Sequence, residues 1–121
     1  MDLKYFLKEN NGFPENRKVK ISPCFLENGE EILWELQAVS EETFHRAAEG
    51  KKDKWAVLCV LSVVTPDLQE KKLWDSYGVD SAENALKEML YPGEYMKLLE
   101  AVKEINGFQK RRKVWKEQAK N

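Results

Sequence analysis

The chain has 121 residues, of which 42% are hydrophobic, 11% aromatic and 34% charged. This length suits one domain with a single hydrophobic core, and the aromatic content argues against an intrinsically disordered chain. The formal net charge of −1 provides no overall attraction to nucleic acid or to an anionic membrane.

The sequence also argues against a membrane-spanning or secreted protein. The longest apolar run, residues 55–64, is shorter than the roughly 20 residues that a transmembrane helix needs. The N-terminus lacks the basic region and the small-residue cleavage site of a secretory signal. Cys24 and Cys59 are the only cysteines, which are too few for a disulfide framework and suit a reducing cytoplasm.

The charge is unevenly distributed along the chain. Residues 110–121 hold six Lys or Arg side chains and one Glu, a net charge of +5, so that the preceding residues carry −6. An acidic body with a basic C-terminal segment is therefore a real feature of this chain.

The first predicted element is a short N-terminal segment, residues 1–12. Leu3, Phe6 and Leu7 have helical spacing, and the segment ends in an Asn-Asn-Gly turn signal at residues 10–12. Because so short a helix is marginal alone, the segment must dock on this domain or on a partner, and docking on this domain is favoured.

A β-hairpin is predicted next. Apolar and polar residues alternate on both sides of Asn28 and Gly29, which is a strong hairpin signal. Pro23 cannot donate to a strand ladder, so the first strand is an edge strand or breaks near that residue. The hairpin also needs helices behind it to be stable. Its inward face is predicted to hold Ile32, Trp34 and Leu36.

Capping residues and helix breakers predict four amphipathic helices after the hairpin. The first helix follows Ser40 and ends at Gly50, and the second follows Thr65 and ends at Tyr77. The third opens at residues 80–83 and ends before Pro92, and the fourth runs from Glu94 to Ile105. Residues 55–64 lie between the first two and are apolar on every side, which predicts a central element. Periodicity does not separate a helix from a buried strand there, and a helix is preferred because no neighbouring parallel strand is visible.

The sequence offers no recognisable catalytic or cofactor-binding pattern. His45 is the only histidine, no glycine-rich phosphate loop occurs, and the acidic pairs at 30–31 and 41–42 suit solvation and helix capping. We therefore expect no enzyme, no cofactor and no metal site. A thiol enzyme that uses Cys24 and His45 ranks far below the other hypotheses.

The basic C-terminal segment supports an alternative function, a small nucleic-acid-associated protein. Residues 110–113 form a Lys-Arg-Arg-Lys cluster, and Trp115 could stack on a base. The acidic body and the lack of a known nucleic-acid-binding motif argue against this hypothesis. A solvated segment, or one that docks on an acidic partner, is favoured.

Several segments of the chain, in order and spacing, resemble one known family. They are Asp-Ser-Tyr-Gly-Val at 75–79, Leu-Lys-Glu-Met-Leu-Tyr-Pro-Gly-Glu-Tyr at 86–95, Glu-Ile-Asn-Gly-Phe at 104–108 and Ala-Lys-Asn at 119–121. The hairpin with its Trp-Glu-Leu at 34–36 and the opening Leu-Lys-Tyr-Phe-Leu-Lys at 3–8 are similar too. The chain thus resembles the XkdN-like tail assembly chaperones of Gram-positive bacteriophages and prophages. The chain departs from the family in a shorter region between the hairpin and Trp55 and in its basic cluster at 110–113.

The resemblance implies a non-enzymatic chaperone in the cytoplasm of the host bacterium that is absent from the mature virion. Such chaperones are thought to cover the apolar, helical tape measure protein until tail-tube subunits polymerise around it. The tape measure protein is therefore the expected partner, and a frameshifted longer form of the chain and further copies of the chain are additional candidates. No membrane and no nucleic acid are expected as partners under this hypothesis.

The expected fold class is α+β, with an N-terminal β-hairpin packed on a bundle of four to five short α-helices. We expect a single domain over residues 1–121, in which residues 1–12 and 109–121 are loosely ordered. Apolar residues without an obvious place in the core are the candidate partner-binding residues, although Tyr77 and Tyr95 suit core and surface equally. They are Leu3, Phe6, Leu7, Tyr77, Tyr95, Phe108 and Trp115. The other residues of the matched motifs are expected to be mainly architectural.

Overall fold

The computed structural model describes residues 1–108, so the basic cluster at 110–113 and Trp115 lie outside the described residues. Two 3-10 turns come first, Leu3–Phe6 and Lys8–Asn10. The strands are β1 (Arg17–Val19), β2 (Leu26–Glu27), β3 (Glu30–Glu31), β4 (Trp34–Leu36) and β5 (Val63–Thr65). The helices are α1 (Glu41–Ala48), α2 (Lys54–Ser62), α3 (Lys71–Ser76), α4 (Ala82–Met89) and α5 (Pro92–Ile105). This arrangement confirms the predicted α+β class.

The predicted hairpin is present and is interrupted where Pro23 stands. β2 pairs with β3 next to the turn, and β1 pairs with β4 further along, both antiparallel. Asn28 and Gly29 form the two-residue turn with φ values of 53° and 80°. Both residues need a positive φ in the turn type that matches strand twist, which is why Asn-Gly is favoured there.

A third strand, which the sequence analysis missed, completes the sheet. β5 follows α2 without a loop and pairs antiparallel with β4, giving the order β1-β4-β5. The apolar run at 55–64 is thus a helix up to Ser62 and a strand from Val63 onward. The preference for a helix is confirmed for most of the run, and the β-branched residues at its end form the strand.

The capping signals predicted most helix ends correctly. The side chains of Ser40 and Ser81 accept backbone N–H groups at the starts of α1 and α4. Gly78 and Gly107 follow α3 and α5 with φ values of 68° and 85°. At each of these two ends, backbone N–H groups donate to carbonyl groups of the last turn, as in a Schellman motif.

Two expectations about local structure were wrong, and the predicted start of one helix was misplaced. Thr65 and Pro66 do not begin a helix, because Thr65 ends β5 and α3 starts only at Lys71. The Asp67 carboxylate instead accepts the Gln69 N–H at 3.0 Å in a local turn. α4 ends before Pro92 as predicted, but α5 begins at Pro92 rather than at Glu94, since proline is well suited to the first helical position. Residues 1–12 do not dock on the domain, since all of them are exposed.

The core forms between one face of the three-stranded sheet and the helices. Trp34, Leu36 and Val63 are buried on that face, as the alternation predicted for the first two, whereas Ile32 is only partly buried. Helix α2 is central, because five consecutive residues from Ala56 to Val60 are buried. Its low amphipathicity follows from this position. None of the helices within residues 1–108 is long and apolar enough to cross a membrane.

One asparagine joins three elements at the end of α5. The Asn106 side-chain oxygen accepts the Val39 N–H at 2.9 Å, and its amide donates to Ser62 Oγ at 2.9 Å and to the Val102 carbonyl at 2.8 Å. Ser62 is fully buried at the end of α2. Asn106 therefore holds α5, α2 and the segment between β4 and α1 together.

Asp53 makes a second polar contact between elements. One carboxylate oxygen accepts the Ala56 N–H at 3.1 Å and caps α2, and the other lies 2.7 Å from Lys87 Nζ on α4. The hydrogen bond from Lys87, with that from Ala56, lowers the pKa of Asp53 below its ordinary value of 3.8.

We expect Asp53→Ala to lower the free energy of unfolding by about 1–2 kcal/mol, because it removes the cap and the exposed ion pair. Asp53→Asn retains an oxygen that can cap α2, so its cost should be smaller. Since the folded-state pKa of Asp53 is lowered, the ionised carboxylate stabilises the protein at pH values above 3.8. The difference between the wild type and Asp53→Asn should disappear as the pH falls through the lowered pKa. Urea unfolding at neutral and acidic pH measures both effects.

The two cysteines should react differently with a thiol reagent. Cys59 is fully buried in α2, and burial, with the charge of Asp53 as a smaller cause, raises its pKa to about 12. Cys24 is exposed. Because the thiolate is the reactive form, we expect alkylation at neutral pH to modify Cys24 alone in the native protein and both cysteines after denaturation. Mass spectrometry of the modified peptides measures this, and fast native labelling of Cys59 would contradict the central position of α2.

Candidate partner-binding surface

Among the residues that the structure describes, the N-terminal arm, residues 1–13, exposes the largest group of apolar side chains. Leu3, Phe6 and Leu7 were predicted as partner-binding residues, and they are 71%, 65% and 41% exposed. No residue of the two 3-10 turns is buried. An arm that keeps several large apolar side chains in water is unusual for a protein that acts alone, and such groups commonly mark an interaction surface.

The arm is held together by its own polar groups. The Asp2 carboxylate accepts the Lys4 N–H at 2.9 Å and caps the first turn. The Asn10 side-chain amide donates to the Lys4 carbonyl at 2.7 Å, and the Asn11 amide donates to the Tyr5 carbonyl. These bonds fold the second turn back on the first. The arm can therefore present its apolar side chains without support from the rest of the chain.

Two further apolar residues of the arm were missed by the sequence analysis. Tyr5 and Phe13 are each 62% exposed. The helical spacing selected Leu3, Phe6 and Leu7 and left Tyr5 on the opposite face. In 3-10 turns whose residues are all exposed, side chains on every face reach solvent, so the helical spacing carries less information.

The other predicted partner-binding residues lie in separate places. Tyr77 follows α3 and is 36% exposed, and Phe108 follows α5 and is 45% exposed. Tyr95 is partly buried and packs against the core, and burial, with Cys59 and Asp53 nearby, raises its pKa to about 12. Tyr95 is therefore mainly a core residue. Trp115 lies outside the described residues.

Phe108 contacts an aromatic residue that the sequence analysis had assigned to the core. Its ring packs edge-on against Trp55, with 5.0 Å between the ring centroids. Lys103 Nζ lies 4.4 Å from the centroid of the same Trp55 ring, which is a cation–π distance. Trp55 is 38% exposed at the start of α2, so this aromatic pair forms a small surface patch separate from the arm in sequence.

Within residues 1–108, no group of three His, Cys, Asp or Glu side chains is placed to hold a metal ion. His45 and Cys24 are both exposed, and no hydrogen bond joins them. The surface feature with the clearest physical use is thus the apolar arm, which can bury side chains against an apolar partner.

Comparison with known proteins agrees with the resemblance in the sequence. The model of the family described as phage XkdN-like tail assembly chaperone protein matches residues 3–120 of the chain. The crystal structure of the protein YqbN is similar, with a TM-score of 0.80 and 25% sequence identity over 90% of this chain and 98% of the YqbN chain. No curated protein matches the chain.

Proposed function

The chain belongs to the family of XkdN-like phage tail assembly chaperones, and we propose that its client is the tape measure protein. It binds apolar helical segments of that protein and keeps them soluble until tail-tube subunits polymerise around them. It acts in the cytoplasm of the host bacterium, without catalysis, and is absent from the finished virion.

The exposure of the N-terminal arm is the observation that supports this proposal most strongly. Leu3, Phe6 and Leu7 project from a segment that uses its own hydrogen bonds to stay folded. An amphipathic helix of a client can bury these side chains against its apolar face. Each fully buried Leu or Phe contributes about 1.5–3 kcal/mol, which suits reversible binding.

A long client would be covered by many copies of the chain. Each copy contacts one apolar segment, and the sum of many weak contacts along one molecule gives high avidity. Release then needs only that the tail tube compete for the same apolar segments, so no nucleotide is required. A longer frameshift product of the same gene and other copies of the chain are further candidate partners.

Co-expression with the tape measure protein of the same phage tests the proposal. We expect the tape measure protein to be insoluble when expressed alone and to co-purify with this chain, in several copies per client, when the two are expressed together. Nuclease treatment should leave the complex intact.

Two results would overturn the proposal. The first is a tape measure protein that stays insoluble while this chain purifies alone. The second is retention of the chain on nucleic acid with a steep dependence on salt, which would favour the basic segment at 110–113 as a nucleic-acid-binding element.

A further inference from the structure

A cleft lies on the face of the sheet that points away from the core. It has a volume of about 320 Å³ and is called the sheet cleft here. The strand register explains its position, since Glu35 on β4 pairs with Lys18 on β1 and with Thr65 on β5, and all three line the cleft. Trp34 and Leu36, on either side of Glu35, are buried in the core, so the row through Glu35 lies on the opposite face.

The sheet cleft combines negative charge with exposed apolar surface. One lysine and four glutamates line it, a net charge of −3, and the glutamates are Glu27, Glu30, Glu31 and Glu35. Within residues 1–108, none of these glutamates takes part in an ion pair, and no group of three acidic side chains is placed to hold a metal ion. Leu33, in the same lining, is 40% exposed. The lining therefore suits several separate cationic side chains that are carried on a partly apolar peptide.

The N-terminal arm joins the sheet at the rim of this cleft. The side-chain amide of Asn16, just before β1, donates to the Glu35 carboxylate at 2.9 Å. Phe13, the last residue of the arm, comes three residues before Asn16, and three residues span at most about 11 Å. The apolar arm and the acidic cleft are therefore adjacent, so a partner that lies on the arm can reach the cleft with its neighbouring residues.

We propose that the sheet cleft binds Lys and Arg side chains at one end of the client segment whose apolar face lies on the arm. This inference rests on the proposed function, because it takes the client to be bound through the arm. The glutamates pair with the positive charges of the client, and Leu33 contacts the aliphatic parts of its Lys and Arg side chains. Opposite charges beside an apolar contact fix its register and exclude wrong partners. The cleft thus selects, among apolar segments of the tape measure protein, those with basic residues at one end.

Overlapping peptides of the tape measure protein, with about 20 residues each, test the proposal. A helix of this length spans about 30 Å, about the diameter of a small domain, so one peptide can reach both the arm and the sheet cleft. Arm-dependent peptides are those that bind the full chain and do not bind the variant Leu3→Ser, Phe6→Ser, Leu7→Ser. We expect these peptides to carry Lys or Arg residues clustered at one end. Fluorescence anisotropy measures each Kd.

Neutralising the sheet cleft should weaken the binding of these peptides. We expect the variant Glu27→Gln, Glu30→Gln, Glu31→Gln to raise their Kd about tenfold, since it removes three exposed and individually weak ion pairs. Replacing the basic residues of a peptide with Gln should raise the Kd by a similar factor. The two changes together should cost less than the product of the two factors, because they remove the same contacts. In 1 M salt, where the Debye length falls to about 3 Å, the effect of the variant should disappear.

The control removes the same number of charges elsewhere. Glu41, Glu42 and Glu49 lie exposed on and beside α1, outside the sheet cleft. The variant Glu41→Gln, Glu42→Gln, Glu49→Gln should keep the affinity of the full chain, and circular dichroism confirms that each variant is folded. Equal losses in the two triple variants would overturn the proposal, as would arm-dependent peptides that bind the cleft variant with unchanged Kd. Either result leaves the proposed function intact, whereas a complete lack of arm-dependent peptides would contradict both.

Discussion

Replacing Leu3, Phe6 and Leu7 together with serine is expected to abolish binding of the tape measure protein without changing Tm. The three side chains are exposed in the free protein, so their removal costs the fold little. If each contributes at least about 1.5 kcal/mol on burial in the complex, the total is about 4.5 kcal/mol. Because about 1.4 kcal/mol corresponds to tenfold in affinity, the loss should be at least ~1000-fold. Titration of a soluble tape measure segment against each variant measures it.

The matched control removes apolar side chains of similar exposure on α5 and in the residue before it. Tyr91 and Met96 are 69% and 56% exposed there. The variant Tyr91→Ser, Met96→Ser should bind the client with unchanged affinity. If the control loses as much affinity as the arm variant, binding depends on general surface hydrophobicity rather than on the arm.

Asn106→Ala is expected to lower the free energy of unfolding by about 2–4 kcal/mol. The substitution leaves the Val39 N–H without its acceptor and the buried Ser62 hydroxyl without its donor. Each unsatisfied buried polar group costs about 1–3 kcal/mol. Because native domains are stabilised by only about 5–15 kcal/mol, this is a large loss. Urea unfolding of both proteins, followed by circular dichroism, measures the difference.

Ser62→Ala provides the control for this prediction. In the double variant Asn106→Ala, Ser62→Ala, no hydroxyl is left unsatisfied, so the combined loss should be smaller than the sum of the two single losses. Strictly additive losses would mean that the 2.9 Å contact between Asn106 and Ser62 contributes nothing. Asn106→Asp tests the other contact, since it keeps the acceptor for Val39 and loses the amide donor.

The parts of the fold with local sequence signals were predictable. The hairpin turn depends on Asn28 and Gly29, and the ends of α1, α4 and α5 depend on capping residues close in sequence. The helix predicted from Glu94 to Ile105 is present as α5, and its buried residues Leu98, Leu99, Val102 and Ile105 recur with the 3.6-residue period of a helix. In each case the residues that decide the structure are near neighbours in the chain.

The errors arose where distant contacts decide the structure. Residues 63–65 pair with β4 almost thirty residues earlier, and this pairing prevents Thr65 from capping a helix. Asn106 directly follows the predicted helix end at Ile105, but its bonds to Val39 and Ser62 join residues 67 and 44 positions apart. No local pattern reports such contacts.

The candidate surface was predictable in part. Apolar residues near the terminus with no place in the core were found from the sequence, whereas Tyr5 and Phe13 were missed. Docking of the arm on this domain was expected because short helices are marginal alone. The arm is instead stabilised by its own hydrogen bonds, since the side-chain amides of Asn10 and Asn11 donate to backbone carbonyls of the first turn. The sequence shows that a polar residue lies in a turn, but it does not show which backbone carbonyl accepts the hydrogen bond from its side chain.

The most direct test of the proposed function is site-specific photo-crosslinking in cells that also express the tape measure protein. A photoreactive phenylalanine analogue is placed at Phe6 in the arm or at Tyr91 before α5, both exposed aromatic positions. The proposal predicts a crosslink to the tape measure protein from position 6 and none from position 91. A crosslink from position 91 alone, or from neither position while the client remains soluble, would contradict binding through the arm.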